Sequence, residues 1–114
     1  MTILYGIKNC DTVKKARKWL EQHTISYQFH DFRTDGLTNE LLQTFIEQAD
    51  LLSLLNKRST TFRNLPDEIK NNLTDEVMID AILAQPTLLK RPLLLIANKL
   101  TIGFKDEIYQ ETFN

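Results

Sequence analysis

The chain has 114 residues, of which 42% are hydrophobic and 25% are charged, and its formal net charge is −1. This length suits one domain with a real core, and the ordinary composition excludes the disordered and fibrous classes. The balanced charge gives no electrostatic footprint for nucleic acid or for an anionic membrane. The first residues show no leader pattern, and no apolar run approaches the ~20 residues of a membrane span. We therefore expect a monomeric, cytoplasmic protein that binds neither nucleic acid directly nor a membrane.

The sequence contains a single cysteine, Cys10, which excludes an internal disulfide framework. With only His23 and His30 beside it, there is no recognisable ligand set for zinc or an iron–sulfur cluster, so we expect no metal. The three scattered glycines give no dinucleotide fingerprint, so we expect no bound cofactor. Val13 occupies the position of the second cysteine in a C-x-x-C motif, which excludes a dithiol oxidoreductase. Any redox cycle at Cys10 therefore needs a sulfur atom from outside the chain.

A short strand and an amphipathic helix open the chain. Residues 2–5 form an apolar, β-prone run. Apolar side chains then recur at three- and four-residue spacing, which predicts a helix over about residues 11–22. Either Asn9 or Asp11 can cap this helix. Cys10 lies at the junction of the two elements.

A second strand and a helical region follow. The alternating, aromatic-rich residues 26–32 predict a strand. Strand, helix and strand in this order form a βαβ unit, whose strands are parallel and whose crossover is right-handed. Residues 38–49 predict a helix that begins at a cap near Thr38, and helical periodicity continues weakly to residue 55. The polar segment 56–64 predicts a loop.

The rest of the chain predicts two helices, a β-hairpin and a closing helix, over residues 66–72, 74–85, 93–104 and 106–113. In the hairpin, the leucine-rich run 93–97 is a buried strand and Asn98-Lys99 is the turn. The order of elements is that of an α/β, thioredoxin-like (glutaredoxin-like) fold with a four-stranded mixed sheet. We expect one domain over residues 1–114, with a helical insertion at about residues 38–85.

Cys10 is the candidate nucleophile. A thiol at the start of a helix faces unpaired backbone N–H groups and the positive end of the helix dipole, which stabilise thiolate over thiol. Lys8, Lys14 and Lys15 act in the same direction, while Asp11 opposes them. An unpaired cysteine in a small intracellular protein is more often an inert, buried residue. A tight turn with polar neighbours presents a thiol instead of burying it, so we predict that Cys10 is reactive.

The segment that leads into the third strand should lie beside the loop that carries the thiol, which places Arg91 and Pro92 next to Cys10. We predict a cis Arg91–Pro92 peptide bond, which turns neighbouring backbone groups toward an extended ligand. The guanidinium of Arg91 offers a planar fork for a carboxylate or an oxyanion. Arg58 and Lys105 are the other cations that the order of elements brings to this site.

Several motifs are spread along the chain, at residues 5–16, 27–36, 56–63, Lys90-Arg91-Pro92-Leu93 and Gly103-Phe104. With these motifs the chain resembles the arsenate reductase C/Spx group, most of all its YffB-type branch. This resemblance covers essentially the whole chain and implies a thioredoxin-like fold. It implies that Cys10 matches the family's nucleophile, and that Arg91 matches an arginine that contacts the bound oxyanion in arsenate reductases. Arg58 fits the YffB and Spx loop pattern, whereas the loop arginine of arsenate reductases falls nearer Asn56. Lys105 stands where an arsenate reductase has arginine, which weakens the assignment of arsenate as the substrate.

These features favour a monothiol oxidoreductase, a thiol reductase coupled to glutathione or glutaredoxin. Cys10 would attack a disulfide or an oxidised substrate and form a mixed disulfide, which an external thiol resolves. Glutathione is the expected co-substrate, and glutathione or glutaredoxin the expected partner. The candidate binding residues, which would hold carboxylates of glutathione or of a small anionic substrate, are Arg91, Arg58, Lys105, Pro92, Asn9 and Lys8.

Three alternatives stay open. Members of the Spx branch dock on RNA polymerase as redox-sensitive regulators, but such sensors carry a C-x-x-C switch that Val13 removes here. The chain could also be an arsenate reductase proper. Finally, it could be a family member whose thiol has no physiological substrate.

Overall fold

The computed structural model describes residues 1–113. The chain divides into two compact units. The first unit comprises Met1–Gly36 and the chain from Arg91 onward, and the second comprises Leu37–Lys90. A single domain over the whole chain stays a prediction. Among residues 1–113, no helix combines the length and the apolar character needed to cross a membrane.

The elements follow the predicted order. In chain order they are β1 (Thr2–Gly6), α1 (Asp11–Gln22), β2 (Gln28–Asp31), α2 (Asn39–Gln48), α3 (Leu51–Leu54), α4 (Thr60–Arg63), α5 (Asp67–Lys70), α6 (Asp75–Ala84), a 3-10 turn (Pro86–Leu88), β3 (Leu93–Ile96), β4 (Lys99–Ile102) and α7 (Asp106–Phe113). The second unit therefore consists of helices, together with one isolated β-bridge between Leu55 and Leu89.

The first unit is built on a four-stranded mixed sheet with the order β2-β1-β3-β4. β1 pairs with β2 in parallel, as the βαβ pattern predicts, and with β3 in antiparallel. Tyr5 lies opposite His30 on one side and Leu93 on the other. β3 and β4 form the hairpin. This arrangement is a thioredoxin-like fold, and the predicted fold class is confirmed.

Helices α1 and α7 share a hydrophobic core with the sheet. The fully or almost fully buried side chains of this core are Leu4, Ala16, Trp19, Leu20, Leu94 and Tyr109. The three- and four-residue spacing of α1 puts Ala16, Trp19 and Leu20 on one helical face, which is why the helix packs here. Full burial of a leucine such as Leu20 contributes about 1.5–3 kcal/mol, so this core holds α1 against the sheet.

The start of α1 differs from the prediction. Cys10 itself occupies the N-cap position, with extended backbone (φ −98°, ψ 124°), so the predicted cap at Asn9 or Asp11 is wrong. The reason is a tight turn, in which the backbone N–H of Cys10 donates to the carbonyl of Ile7 (3.2 Å). The helix therefore begins directly after this turn and leaves the cysteine at its boundary.

Two further predictions are wrong in detail. The predicted loop 56–64 contains the short helix α4, because the hydroxyl of Ser59 accepts a hydrogen bond from the N–H of Phe62 (3.1 Å) and caps it. The hairpin turn is formed by residues 97–98, since Ile96 already pairs with Lys99. By contrast, the predicted cap near Thr38 is confirmed, with its hydroxyl accepting from Leu41.

Candidate thiol site

The candidate site lies at one end of the sheet of the first unit. β1 and β2 are parallel and both end there, with Gly6 opposite Asp31. β3 runs antiparallel to β1, so it begins at the same end, where Leu93 pairs with Tyr5 and with Ile102 of β4. The topology thus brings four chain segments together: the turn after β1, the loop after β2, the entry into β3 and the exit from β4.

Cys10 stands in the first of these segments. Its thiol is free and half-buried. The carbonyl of Cys10 accepts the first hydrogen bond of α1, from the N–H of Lys14 (3.0 Å), and the cysteine side chain makes no capping bond. The N–H groups of the first helical turn have no partner within the helix, and with the helix dipole they favour negative charge at this position. The arrangement suits a thiolate nucleophile or a bound anion.

Gly6 allows the strand to approach the helix that follows the thiol. A Cβ atom on Gly6 would lie 2.7 Å from Cγ2 of Val13 and 3.2 Å from its Cγ1, which is closer than packed carbon atoms tolerate. Val13 is fully buried. The position that a second cysteine would occupy in a C-x-x-C motif is therefore a packing position, where a valine fills the space beside β1.

Asp31 is a site residue that was not predicted from the sequence. Among residues 1–113 it is the one charged side chain that is buried, at 5% exposure. Its Oδ2 accepts from the backbone N–H of Lys8 (3.3 Å), and its Oδ1 accepts from the N–H of Arg33 (2.8 Å). These bonds satisfy a carboxylate that would otherwise be costly to bury. Asp31 thereby joins the turn that carries the thiol to the loop after β2.

A signal for Asp31 was available in the strand pattern. Strand residues two apart lie on one face, so Asp31 shares the face of Phe29, which packs against the hydrophobic core. The loop that follows is closed by two more bonds: the N–H of Asp31 donates to a carboxylate oxygen of Asp35 (3.0 Å), and the N–H of Asp35 donates to the carbonyl of Asp31 (2.7 Å).

The predicted cis peptide bond at the entry into β3 is confirmed. The Arg91–Pro92 peptide bond is cis, Pro92 is buried and Arg91 is half-buried. The carbonyl of Pro92 accepts from the N–H of Gly103 (2.8 Å), which ties the entry of β3 to the exit of β4. Gly103 adopts a φ of +79°, a region that residues with a side chain rarely occupy.

The remaining predicted residues have different positions. Lys8 and Asn9 are exposed in the turn before Cys10. Lys105 is exposed after β4, and its carbonyl accepts from Tyr109 at the start of α7 (3.0 Å). Arg58 belongs to the second unit, where its N–H donates to the side chain of Asn56 (3.1 Å). Its place beside Cys10 therefore stays a prediction.

A thioredoxin-like sheet with a lone thiol at the N-terminus of its first helix defines a class, that of thioredoxin-like proteins with one candidate redox cysteine. The comparisons with known proteins agree with this class. The model of the ArsC family matches residues 5–112, and the chain belongs to this family.

Three similar proteins narrow the relationship. The solved structure of a YFFB protein is 38% identical, superposes with a TM-score of 0.95 and covers 100% of both chains. That of an arsenate reductase (ArsC) related protein from Brucella melitensis is 45% identical, with a TM-score of 0.80 over 99% of this chain and 94% of the other. The global transcriptional regulator Spx of Lactiplantibacillus plantarum is 30% identical over 94% of this chain and 82% of its own. The predicted resemblance to the arsenate reductase C/Spx group and its YffB-type branch is confirmed, and the family supports a thiol oxidoreductase as the general class.

Proposed function

We propose that the protein is a cytoplasmic monothiol reductase, coupled to glutathione or glutaredoxin, in which Cys10 is the nucleophile. The observation that carries this proposal is the position of the free, half-buried thiol at the N-cap of α1. Thiolates are the reactive form of cysteine, and a helix N-terminus favours them. No other thiol exists in the chain, so the second sulfur must come from another molecule.

The proposed reaction is two thiol–disulfide exchanges. The Cys10 thiolate attacks one sulfur of a substrate disulfide, forms a mixed disulfide, and releases the other sulfur as a thiolate that takes a proton from water. A glutathione thiolate then attacks the substrate sulfur of the mixed disulfide, which regenerates the Cys10 thiolate and leaves the substrate joined to glutathione. A second glutathione reduces that product and forms glutathione disulfide, so two glutathione molecules supply the two electrons.

The cations of the site would hold the carboxylates of glutathione or of a small anionic substrate. In the first unit, Arg91 precedes β3 and Lys105 follows β4, at the end of the sheet where Cys10 lies. The fork of Arg91 suits a carboxylate, and Lys105 supplies a point charge. Lys8, Asn9 and Pro92 would form the walls, while the role of Arg58 stays a prediction from the sequence. A tetrahedral oxyanion rewards several forks, so the lysine at 105 argues against arsenate as the preferred substrate.

The test compares the wild-type protein with Cys10→Ser in two assays. In the first, intact mass after incubation with glutathione disulfide reports a mixed disulfide on Cys10. In the second, a small mixed disulfide is supplied with glutathione and glutathione reductase, and turnover is followed. We expect an adduct and turnover in the wild type and neither in Cys10→Ser, with Lys99→Gln at the far end of the sheet as an unaffected control. Full turnover in Cys10→Ser would refute the proposal.

A second candidate function follows from the Spx relative, which is a global transcriptional regulator. In such a protein the thiol would serve as a redox sensor, and the resemblance implies RNA polymerase as the partner. We rank this function second, because Val13 fills a packing position where a C-x-x-C switch needs its second thiol. A pulldown from a cell extract with the tagged protein separates the two: recovery of polymerase subunits, lost in a competition with untagged protein, would reverse the ranking.

A further inference from the structure

An open groove of about 550 Å³ lies along α1, within the first unit, and begins one helical turn after the thiol. The residues that line it are Lys14, Arg17, Lys18, Glu21 and Gln22. The first of them, Lys14, donates its backbone N–H to the carbonyl of Cys10 (3.0 Å). With a rise of about 1.5 Å per residue, the cations of the groove extend about 12 Å along the helix from Cys10.

Arg17 is held in a fixed position at this groove. Its Nε donates to the hydroxyl of Tyr27 (3.2 Å), and its guanidinium carbon lies 4.3 Å from the centre of the Phe29 ring. The hydroxyl of Tyr27 in turn donates to Glu21 (2.9 Å). The two terminal nitrogens of Arg17 make no hydrogen bond among residues 1–113. Nε and the stacked ring fix this guanidinium in place, and its two terminal nitrogens can still donate hydrogen bonds. Arg17 is therefore pre-organised to bind a carboxylate.

The charge of the groove is not balanced locally. Four of the five residues at positions 14–18 are lysine or arginine, although the whole chain has a net charge of −1. Within the described part of the chain, no carboxylate forms an ion pair with Lys14, Arg17 or Lys18. Glu21 limits the positive stretch at the far end. The groove is therefore positive at the end near the thiol and mixed in charge at the other.

We propose that this groove is the docking surface for an acidic peptide segment of the protein partner whose sulfur reacts with Cys10. The proposal extends the proposed function, because it names the chemistry of the partner at the same thiol. Two or three carboxylates, placed a few residues from the partner's cysteine, would lie on Lys14, Arg17 and Lys18 while that cysteine lies at Cys10. The positive stretch ends at Glu21, which suits a short acidic segment better than a continuous polyanion.

The chemical step is the exchange already described, with the partner's disulfide as oxidant. The Cys10 thiolate bonds to the sulfur of the docked segment, and the disulfide's other sulfur leaves as a thiolate. Docking raises the rate of this step by bringing the partner to the thiol, and long-range attraction of this kind weakens as salt screens it.

The experiment uses two synthetic peptides, each with one cysteine joined to glutathione as a mixed disulfide. One carries three Asp or Glu residues after the cysteine, and the other carries Asn or Gln at the same positions. Mixed-disulfide formation on Cys10 is followed by mass. We expect the acidic peptide to react about threefold to tenfold faster at low ionic strength, and this advantage to shrink as salt is added. The ratio of the two rates cancels the intrinsic reactivity of the thiol.

Lys18→Glu and Lys15→Glu provide the matched comparison. Both reverse one exposed charge on α1, but only Lys18 lines the groove. We expect Lys18→Glu to bring the rate ratio to about one or below, and Lys15→Glu to keep most of it. Equal ratios in the wild type and Lys18→Glu, or an equal loss in both variants, would overturn the proposal.

A binding measurement on Cys10→Ser separates this proposal from the proposed function. A cysteine-free acidic peptide is titrated into the labelled variant, and backbone amide shifts are recorded by NMR. Shifts centred on residues 14–18 support the groove even if Cys10 reacts with neither peptide, an outcome that would refute the reductase alone. No shifts, shifts centred elsewhere, or displacement of the peptide by an equal concentration of single-stranded DNA would overturn the groove as a peptide site.

Discussion

The carboxylate of Asp31 accepts a hydrogen bond from the backbone N–H of Lys8 at 3.3 Å, although the two residues lie 23 positions apart in the chain. This bond joins the end of β2 to the turn that carries Cys10. Because Asp31 is buried and its other oxygen accepts from Arg33, neither oxygen can turn away without leaving a donor unpaired. The position of the thiol therefore depends on a carboxylate that takes no direct part in the proposed chemistry.

Asp31→Asn should loosen this connection. An amide keeps one acceptor oxygen but places N–H groups against one of the two backbone donors, and an unsatisfied buried group costs about 1–3 kcal/mol. We expect the free energy of unfolding to fall by this amount in urea titrations. Hydrogen exchange at the Lys8 amide should rise more than exchange in the core of α1. Glu47→Gln, which changes an exposed carboxylate on α2, is the control and should alter neither measurement. Uniformly faster exchange throughout the first unit would contradict a local role.

Gly6→Ala should destabilise the protein by forcing β1 away from the first turn of α1. The added methyl would lie 2.7 Å from Cγ2 of Val13. Overpacking of this kind costs about 1–3 kcal/mol. Gly6→Ala should cost less in a Val13→Ala background than in the wild type, because the smaller residue at position 13 removes the conflict. A double-mutant cycle of unfolding free energies measures the coupling, and additive losses would contradict the contact.

Thr74→Ala should remove the cap of α6. The hydroxyl of Thr74 accepts from the N–H of Val77 (3.3 Å) at the start of this helix. Loss of such a cap costs about 0.5–2 kcal/mol. Thr74→Ser keeps the hydroxyl and serves as the matched control, so thermal unfolding should separate the two variants. Equal melting temperatures for the two variants would show that the hydroxyl does not stabilise the helix.

Tyr109→Phe should leave stability unchanged or raise it at neutral pH. The hydroxyl of Tyr109 is buried and has no hydrogen-bond partner among residues 1–113, so its removal relieves a desolvation cost. Tyr27→Phe is the comparison, because it loses bonds to Arg17 and Glu21 and should lower the free energy of unfolding by about 0.5–1.5 kcal/mol. A larger loss of stability in Tyr109→Phe than in Tyr27→Phe would contradict the prediction, because it would show that the buried hydroxyl makes a stabilising hydrogen bond.

The buried phenol of Tyr109 should also make the free energy of unfolding depend on pH. Burial raises the pKa of Tyr109 above its ordinary value of 10.0. The folded state then keeps the phenolic proton while the unfolded state loses it, so the unfolded state binds fewer protons above pH 10 and stability falls as pH rises. Tyr109→Phe should weaken this alkaline loss in urea titrations between about pH 9 and pH 11. An identical pH profile in the variant would contradict the assignment.

Arg91→Lys should weaken substrate binding while it preserves charge. A lysine lacks the planar fork that binds a carboxylate in two places, so the KM for glutathione should rise several-fold while Cys10 still forms its adduct. Arg63→Lys, at an exposed position of α4, is the control and should leave the KM unchanged. A fall in adduct formation without a change in the KM would contradict this prediction, and would indicate that Arg91 affects the reactivity of the Cys10 thiol instead of the binding of glutathione.

Much of the fold could be predicted from local patterns. Alternation and helical spacing give the strands and helices, because burial on one face imposes these periods wherever the element lies. Thr38 caps its helix as predicted, since a cap depends on residues only three positions apart. Order alone then led to the mixed sheet and to the cis Arg91–Pro92 bond.

Local patterns did not predict elements that are very short or that depend on pairing with another strand. Helix α4 spans only Thr60–Arg63, and its Ser59 cap lies in a polar segment that is equally typical of a loop. The hairpin turn shifted by one residue because the pairing of Ile96 with Lys99 is decided across strands. The N-cap of α1 is Cys10 instead of Asn9 or Asp11, because the N–H of Cys10 donates to the carbonyl of Ile7 and so forms the turn before the helix.

The sequence by itself determined the four strands, the longer helices, the class of fold and the lone thiol at the strand–helix junction, because each depends on a pattern among neighbouring residues. Only the tertiary structure decided which side chains meet that thiol's turn. The bond between Asp31 and Lys8, and the contact that only a glycine at position 6 permits beside Val13, join segments whose approach depends on the folded sheet. Burial turns an ordinary aspartate into a positioning residue, and burial is a property of the assembled core rather than of any local pattern.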